Sequence, residues 1–292
     1  MNTKEIKKIA VIGSGVLGTQ IAMLAASVGQ KVNIFDPKEE AFNKSYLLLL
    51  PSFQRGMLIP ADQLEACKEK ISQKYSIDEA LEDVELVIET VSENIEIKKV
   101  VFSEIGSKVS LNTIIATNSS SIPISKLEES SGKPEQCLNI HFYQPIDGVR
   151  MVDIMGGTKT HPEILERASQ WANSLSCVPI RVNKEVMGFC FNSIWRAVKK
   201  QCLYLWAGGF VDFHDIDKAW MMFSKMSIGP FALMDKVGLD TVYNIEMSYY
   251  LASSDPKDKP PEALFEKIQR GELGVKTGKG FYSYNQKNGD AL

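Results

Sequence analysis

Histidine is scarce in this 292-residue chain: there are three, His141, His161 and His214, far apart and without a ligand-like neighbour at helical spacing. Cysteine is almost as thin. Cys67, Cys137, Cys177, Cys190 and Cys202 are odd in number, form no CxxC and match no zinc spacing. Together these absences argue against a metal site and a disulfide framework, and the thiols read as buried and reduced in a cytosolic protein. A net basic charge is also missing. The formal charge of −3 and a pI near 5.8 argue against nucleic acid as the main partner, because tracking phosphates needs a basic face. No uninterrupted apolar run is long enough to cross a bilayer. The first eight residues are polar and lysine-rich, and the apolar run behind them is broken by Gly13, Gly15 and Gly18, so no signal peptide is expected. The expectation is a cytoplasmic protein with neither a membrane nor a nucleic-acid partner.

What is present suits a soluble globular protein of one large or, better, two domains: 44% of residues are hydrophobic and 24% charged. Lys7–Ile12 reads as a buried strand that runs into Gly13-Ser14-Gly15-Val16-Leu17-Gly18, then into a helix of small and apolar residues ending at Gly29. A second strand, KVNIFD, closes with Asp36. A bare GxGxxG says little, but one placed between strand and helix, with an acid at the end of the next strand, predicts a dinucleotide site. Gly13 permits the tight turn, Gly15 lets backbone approach a pyrophosphate, and Gly18 lets helix and strand pack closely. The N-terminus of the helix supplies free N–H groups and partial positive charge. Asp36 is placed to accept hydrogen bonds from ribose hydroxyls and to repel a 2′-phosphate. That favours NAD over NADP, with Lys38 close enough to leave the preference slightly open.

Residues 39–76 read as two helices, broken at Pro51 and at GMLIPAD, with Asp62 as N-cap of the second, QLEACKEKIS. The lysines and arginine of this hairpin, Lys44, Arg55, Lys68, Lys70 and Lys74, either meet an anionic ligand or form a solvated face. Strands follow at 84–90 and 111–118, with a helix at 95–105 between them. Their polar ends (Glu89, Glu93 and Asn94; Asn118 and Ser119–Ser121) face the crevice where ligands bind in open parallel sheets. The stretch 138–154, LNIHFYQPIDGVRMVDI, then places His141 at a strand end and Asp153 on the returning segment, a base-capable imidazole and a carboxylate. A helix capped by Thr160 with Glu163 three residues on, and a last strand, VPIRVN, end the first domain near Asn183 or Lys184. His161 falls in the first turn of that helix, as a surface residue. From residue 185 the period is helical, with Asp212 or Asp215 capping the second helix and Trp195, Trp206, Trp220, Met221 and Met222 forming core or subunit interface. Residues 1–184 are therefore expected to be an α/β domain with a Rossmann-type doubly wound sheet and a helical-hairpin insertion, and 185–292 an all-helical substrate and dimerisation domain.

VIGSGVLG with Asp36, VSENIEIKK, TNSSS (117–121), HFYQP (141–145), GFCFN (188–192), SIGPF (227–231) and LGVKTGKGFY occur in this order over nearly the whole chain. This combination resembles the short-chain L-3-hydroxyacyl-CoA dehydrogenase family, including 3-hydroxybutyryl-CoA dehydrogenases. The resemblance implies an NAD-dependent oxidoreductase of fatty acid metabolism that interconverts L-3-hydroxyacyl-CoA and 3-oxoacyl-CoA, and the apolar helical domain suggests a homodimer. His141 matches the catalytic base of the family motif HFFNP. Asp153 stands where the family has a glutamate that orients the imidazole. Ser120 and Asn192 match donors to the substrate oxygen, and Glu93, Lys98 and Asn118 match residues contacting nicotinamide and its ribose. Arg55 and Lys68 are the hairpin cations that would grip a CoA nucleotide. Several positions depart from the pattern: Gln144 replaces the motif's asparagine, Asp153 is one methylene short, Ser193 replaces a frequent arginine and Met187 a proline. The alternatives are a dehydrogenase of a free 3-hydroxy acid, similar to the carnitine and gulonate dehydrogenases, and a protein that binds NAD without turnover.

Overall fold

The computed structural model describes residues 5–144, 146 and 148–285. Pro145 of the HFYQP motif and the first four residues of the lysine-rich N-terminal stretch lie outside that set. The chain divides into two compact units, one ending at Cys190 and the other beginning at Phe191. That division falls later than the Lys184 boundary read from the change of period.

The first unit opens with β1 (Lys8–Ile12), α1 (Val16–Ser27) and β2 (Lys31–Phe35). Next come α2 (Ala41–Gln54), α3 (Leu64–Glu69), β3 (Ile71–Lys74), α4 (Ile77–Leu81), β4 (Leu86–Glu89), α5 (Ile95–Lys108) and β5 (Ile114–Thr117). It closes with β6 (Cys137–Phe142), β7 (Met151–Gly156), α6 (Pro162–Ser174) and β8 (Val178–Val182). One sheet results, in the order β3-β2-β1-β4-β5-β6-β7-β8. All pairs are parallel except β6 with β7. The chain first builds outward from β1 to β3, then returns to the other side of β1, so a crevice opens between β1 and β4 at the strands' carboxyl ends.

Two-residue alternation divides the core. Ile9, Val11, Leu86, Ile88, Leu138, Ile140, Phe142, Val152 and Ile154 pack with α1, α2 and α6. Ala10, Ile12, Val87 and Ile115 pack on the other face with α4, α5 and Leu127. On β6 and β7 that other face carries polar residues, Asn139, His141 and Asp153, all buried.

Four local expectations are corrected. Pro51 does not break the first hairpin helix but lies inside α2. The stripe Phe42, Tyr46, Leu49 and Phe53 continues past it into the core, and that burial outweighs one missing backbone hydrogen bond. The second hairpin helix stops at Glu69, and Ile71–Lys74 is instead a parallel edge strand, with Val32 opposite Ile71. An edge strand is only half buried, which is why it shows no apolar run. Asp62 sits in a 3-10 turn, and Gln63 precedes α3 without a side-chain cap. Thr160 does not cap α6: its hydroxyl donates to the Cys137 carbonyl at 2.5 Å, while His161 Nδ1 accepts from the Glu163 N–H at 3.3 Å. Pro162, preset for the first helical position, moves the start one residue on. One cysteine also differs from expectation: all five are free thiols, but Cys190 is exposed.

The second unit contains α7 (Phe191–Ala207), α8 (Phe213–Ser224), α9 (Pro230–Val237), α10 (Leu239–Ser253) and α11 (Glu262–Gln269). Its core joins Cys202, Leu203, Ile216, Phe231, Met234, Leu239, Val242, Leu264 and Phe281, with Trp195 and Trp206 packed against it. Asp212, not Asp215, caps α8 by accepting from the His214 N–H at 2.9 Å. Buried Asp235 accepts from the Phe281 and Tyr282 N–H groups and from the Tyr284 hydroxyl, which fastens the glycine-punctuated tail to α9. Glu272 holds the same region through Lys267, Arg270 and Lys279 at 2.9, 3.3 and 3.0 Å. Burial opposes its charge, but the hydrogen bonds from these three cations outweigh it and depress its pKa from 4.5 to about 2. A depressed carboxylate contributes stability that is fully present above its unfolded pKa and is lost as pH falls through the folded one. Glu272→Gln should therefore cost about 1 kcal/mol near neutral pH, a screened charge-assisted contribution. Thermal unfolding should show the difference from the native chain vanishing between about pH 4.5 and about pH 2.

Candidate active site

The glycine loop after β1 has the geometry of a phosphate cradle. Gly13 has φ +104°, and a Cβ there would meet the Thr90 backbone at 2.8 Å. At Gly18 a Cβ would lie 2.1 Å from the Gly13 carbonyl oxygen. Both therefore must be glycine for the loop to close on β4. Gly15 is different, since a Cβ there would meet nothing within 4 Å. Its backbone faces open space, where a side chain would occupy room that a ligand's phosphate needs. Gly15 begins α1 with no side-chain cap, and Val16 beside it is exposed while Leu17 is half-buried. The first N–H groups of a 12-residue helix are thus left to an anion. Asp36, half-buried at the end of β2, accepts from the Ser14 N–H at 2.9 Å and the Lys38 N–H at 3.0 Å. It braces the loop while keeping lone pairs for a sugar hydroxyl. These residues fit a dinucleotide.

Beside the loop, the carboxyl ends of β4, β5 and β6 form one polar row: Glu89 is opposite Thr117, and Thr117 opposite Asn139. Glu89 is buried and bonded to Lys98 Nζ at 2.7 Å and to the Thr117 hydroxyl at 2.7 Å. Burial pushes the Glu89 carboxyl above its usual range, against the opposing Lys98 charge and hydrogen bonds. Lys98, only 1% exposed, spends its remaining reach on the Val91 carbonyl at 3.2 Å and Glu93 at 3.4 Å. It is a buried brace under the loop that carries Glu93. Glu93 Oε1 in turn accepts from the Ser119 and Ser121 hydroxyls at 2.5 and 2.7 Å. Burial works against its charge, but these hydroxyls and Lys98 outweigh it and hold Glu93 below the usual carboxylate range. With both neighbours clamped, Ser120 stands between them, exposed and without a hydrogen-bond partner among the described residues.

His141 and Asp153 face each other across β6 and β7 as register partners. His141 Nδ1 lies 3.3 Å from Asp153 Oδ2, and the two side chains are 6% and 0% exposed. The shorter carboxylate therefore does reach the imidazole. Asn118 accepts from the Phe142 N–H at 2.8 Å and ties the end of β5 to the strand carrying His141. Asn139 accepts from the Ile124 N–H at 2.8 Å and holds the loop behind Ser121. Of the other expected residues, Arg55 follows α2 and Lys68 lies in α3, both exposed, with the Lys68 ammonium 4.6 Å from the centre of the Tyr46 ring. Asn192, half-buried, belongs to the first turn of α7 in the other unit. Among the described residues no cluster of His, Cys, Asp and Glu is arranged for a metal.

Two neighbours of His141 were not singled out from sequence. The Tyr143 hydroxyl donates to the same Asp153 Oδ2 at 2.5 Å. Phe189 stacks on the imidazole, with centroids 4.7 Å apart and planes within 6°. Phe189 has φ +51°, a conformation costly for an aromatic residue, and Glu185 anchors its segment by accepting from the Ser125 N–H and hydroxyl. Tyr143 was findable, because it follows β6 directly and has the same parity as His141. Phe189 was not, since nothing local to it points at residue 141.

Comparison with known proteins agrees with this geometry. Residues 8–186 match the NAD binding domain of 3-hydroxyacyl-CoA dehydrogenase and residues 188–284 its C-terminal domain. A 3-hydroxybutyryl-CoA dehydrogenase of Clostridioides difficile is 30% identical over 282 residues, covering 96% of this chain and 100% of that protein. A 5-formyl-3-hydroxy-2-methylpyridine 4-carboxylate 5-dehydrogenase of Mesorhizobium japonicum is 30% identical over 294 residues, covering 98% and 94%. The crystal structure of (S)-3-hydroxybutyryl-CoA dehydrogenase from Ralstonia eutropha matches with a TM-score of 0.87 at 28% identity, covering 96% of this chain and 100% of that one. Empty space beside Gly15, an acid at the end of β2 and relatives matched over nearly their whole length converge on one assignment: the chain belongs to the 3-hydroxyacyl-CoA dehydrogenase family and is an NAD-dependent oxidoreductase.

Proposed function

We propose that this enzyme interconverts an L-3-hydroxyacyl-CoA and its 3-oxo form, with His141 as general base. The observation that carries the reading is the buried His141–Asp153 pair at the polar end of the sheet. With Nδ1 committed to Asp153, Nε2 is the nitrogen left to take the proton of a substrate hydroxyl. Asp153 holds the ring's orientation and offsets the charge it acquires. Ser120, exposed between two clamped serines, is available to donate to the substrate oxygen as negative charge develops there. NAD, when bound, accepts the hydride. Gly13, Gly15, Val16, Leu17, Gly18 and Asp36 would hold it, and Lys98 would act by fixing Glu93 rather than by contact. Asn118 keeps an amide Nδ2 for the same region. The role expected of Asn192 rests on the family pattern alone.

A crossed pair of variants tests these assignments. His141→Ala should lower turnover more than about a hundredfold with NADH binding unchanged. Asp36→Ala should weaken NAD about tenfold and narrow its margin over NADP, leaving the pH profile of turnover unchanged. Near-native turnover of His141→Ala, measured by NADH fluorescence and steady-state rates together, would remove the general-base assignment.

A free hydroxy acid is the second reading, favoured by the hairpin: Arg55 is exposed, and the Lys68 charge already rests over Tyr46. Neutralising both should raise KM for acetoacetyl-CoA about tenfold if the nucleotide is gripped there. An unchanged KM, with turnover of free 3-hydroxy acids, would replace the CoA reading. We further propose a homodimer through the second unit, where Phe210, Met222 and Phe223 are 63, 66 and 94% exposed. Light scattering should return about twice the 32.5 kDa chain mass, falling to one with Phe223→Glu.

A further inference from the structure

The short carboxylate at position 153 raises a mechanical question. Asp153 is fully buried, its Oδ1 has no hydrogen-bond partner among the described residues, and its contact with His141 is long at 3.3 Å. A carboxylate held only by that contact would orient the imidazole weakly. The shorter bond on Oδ2 comes from Tyr143, at 2.5 Å. In the family motif HFFNP this position is phenylalanine, which carries no hydroxyl. The phenol appears where the acid is one methylene short.

We propose that Tyr143 is a positioning residue for the general base: its hydroxyl anchors Asp153 so that the shorter acid can orient His141. This rests on His141 being the base. Three contacts define the device. The Tyr143 hydroxyl fixes Oδ2, the Tyr143 ring meets the imidazole edge-on at 4.7 Å and 69°, and Phe189 covers the imidazole face. Two donors on one oxygen also divide its charge, so the phenol weakens the carboxylate's hold on a protonated imidazole.

Among the described residues no other charged group is hydrogen-bonded or ion-paired to His141 or Asp153. β8 places Ile180 opposite Asp153. Arg181 of β8 is turned to Ser169 and Glu166. Arg150, just before β7, donates to the Leu58 carbonyl. Just after β5, the Asn118 side chain accepts from the Phe142 N–H.

The test is Tyr143→Phe, which removes one oxygen and leaves the ring. Oxidation of 3-hydroxybutyryl-CoA with NAD should lose about tenfold in kcat with KM for NAD unchanged. The acid limb of its pH profile should move to higher pH, because the imidazole then has Oδ2 to itself. With three histidines in the chain, the His141 imidazole resonance is identified by its loss in His141→Ala, and its titration midpoint should move upward as well. This second measurement needs no substrate. Adding Asp153→Glu to Tyr143→Phe should restore the rate, since the longer acid reaches the ring unaided, whereas Asp153→Glu alone should impair an enzyme whose pocket Tyr143 already fills. An unmoved midpoint and limb in Tyr143→Phe overturns the proposal whatever happens to kcat, because a packing role would leave both in place. If His141→Ala collapses turnover while that result holds, only the role of Tyr143 falls. If His141→Ala retains turnover, the general-base reading itself has failed.

Discussion

The antiparallel pairing of β6 with β7 is the constraint on which the rest of the site depends. Every other pair in the sheet is parallel, and parallel strands are joined through long crossovers that carry the chain to a helix and back. That antiparallel pairing sets His141 and Asp153 opposite one another. Because side chains alternate, a slip of one residue would send both to the apolar face with Ile140 and Val152. Leu138, Ile140, Phe142, Val152 and Ile154 all favour that face, so the hydrophobic core on one side holds a polar pair in register on the other. A buried carboxylate and imidazole are unfavourable to bury alone. They are held there by the apolar packing behind them.

The same logic runs along the strand ends. Glu89, Thr117 and Asn139 occupy one row, and each is satisfied by a neighbouring element: Lys98 from α5, the Glu89 carboxylate from β4, and the Ile124 backbone. Buried polar groups arranged this way leave few alternatives to the loops above them. The segment after β5 is consequently stiff around Ser119 and Ser121 while Ser120 remains open to solvent. The glycine loop works by the opposite means: two glycines pack so closely that no side chain fits, and a third leaves a space.

Strong periodicity made much of this legible. β1, β2, β4, β5 and β6 are each buried on both faces, so they stand out as apolar runs, and the glycine motif between β1 and α1 carries its own spacing. The edge strand β3 was illegible because half its surface faces water and ISQK has no apolar run to betray it. Pro51 misled for a related reason: its local effect on a helix is real, but the stripe from Phe42 to Phe53 buries enough surface to override it. Thr160 matched a capping pattern, yet its hydroxyl found the Cys137 carbonyl of a neighbouring strand.

For the site, the sequence alone determined which chemistry was on offer: glycines at dinucleotide spacing, an acid after β2, and a histidine twelve positions from a carboxylate. Those are local properties, fixed by residue type and short spacing. Only the tertiary structure decided how they are supported. That Lys98 is a buried brace, that Tyr143 shares an oxygen with His141, and that Phe189 lies on the imidazole all depend on segments brought together by sheet register and core packing. Such contacts leave no periodic trace in the chain, because each partner's position is set by burial elsewhere rather than by its own neighbours.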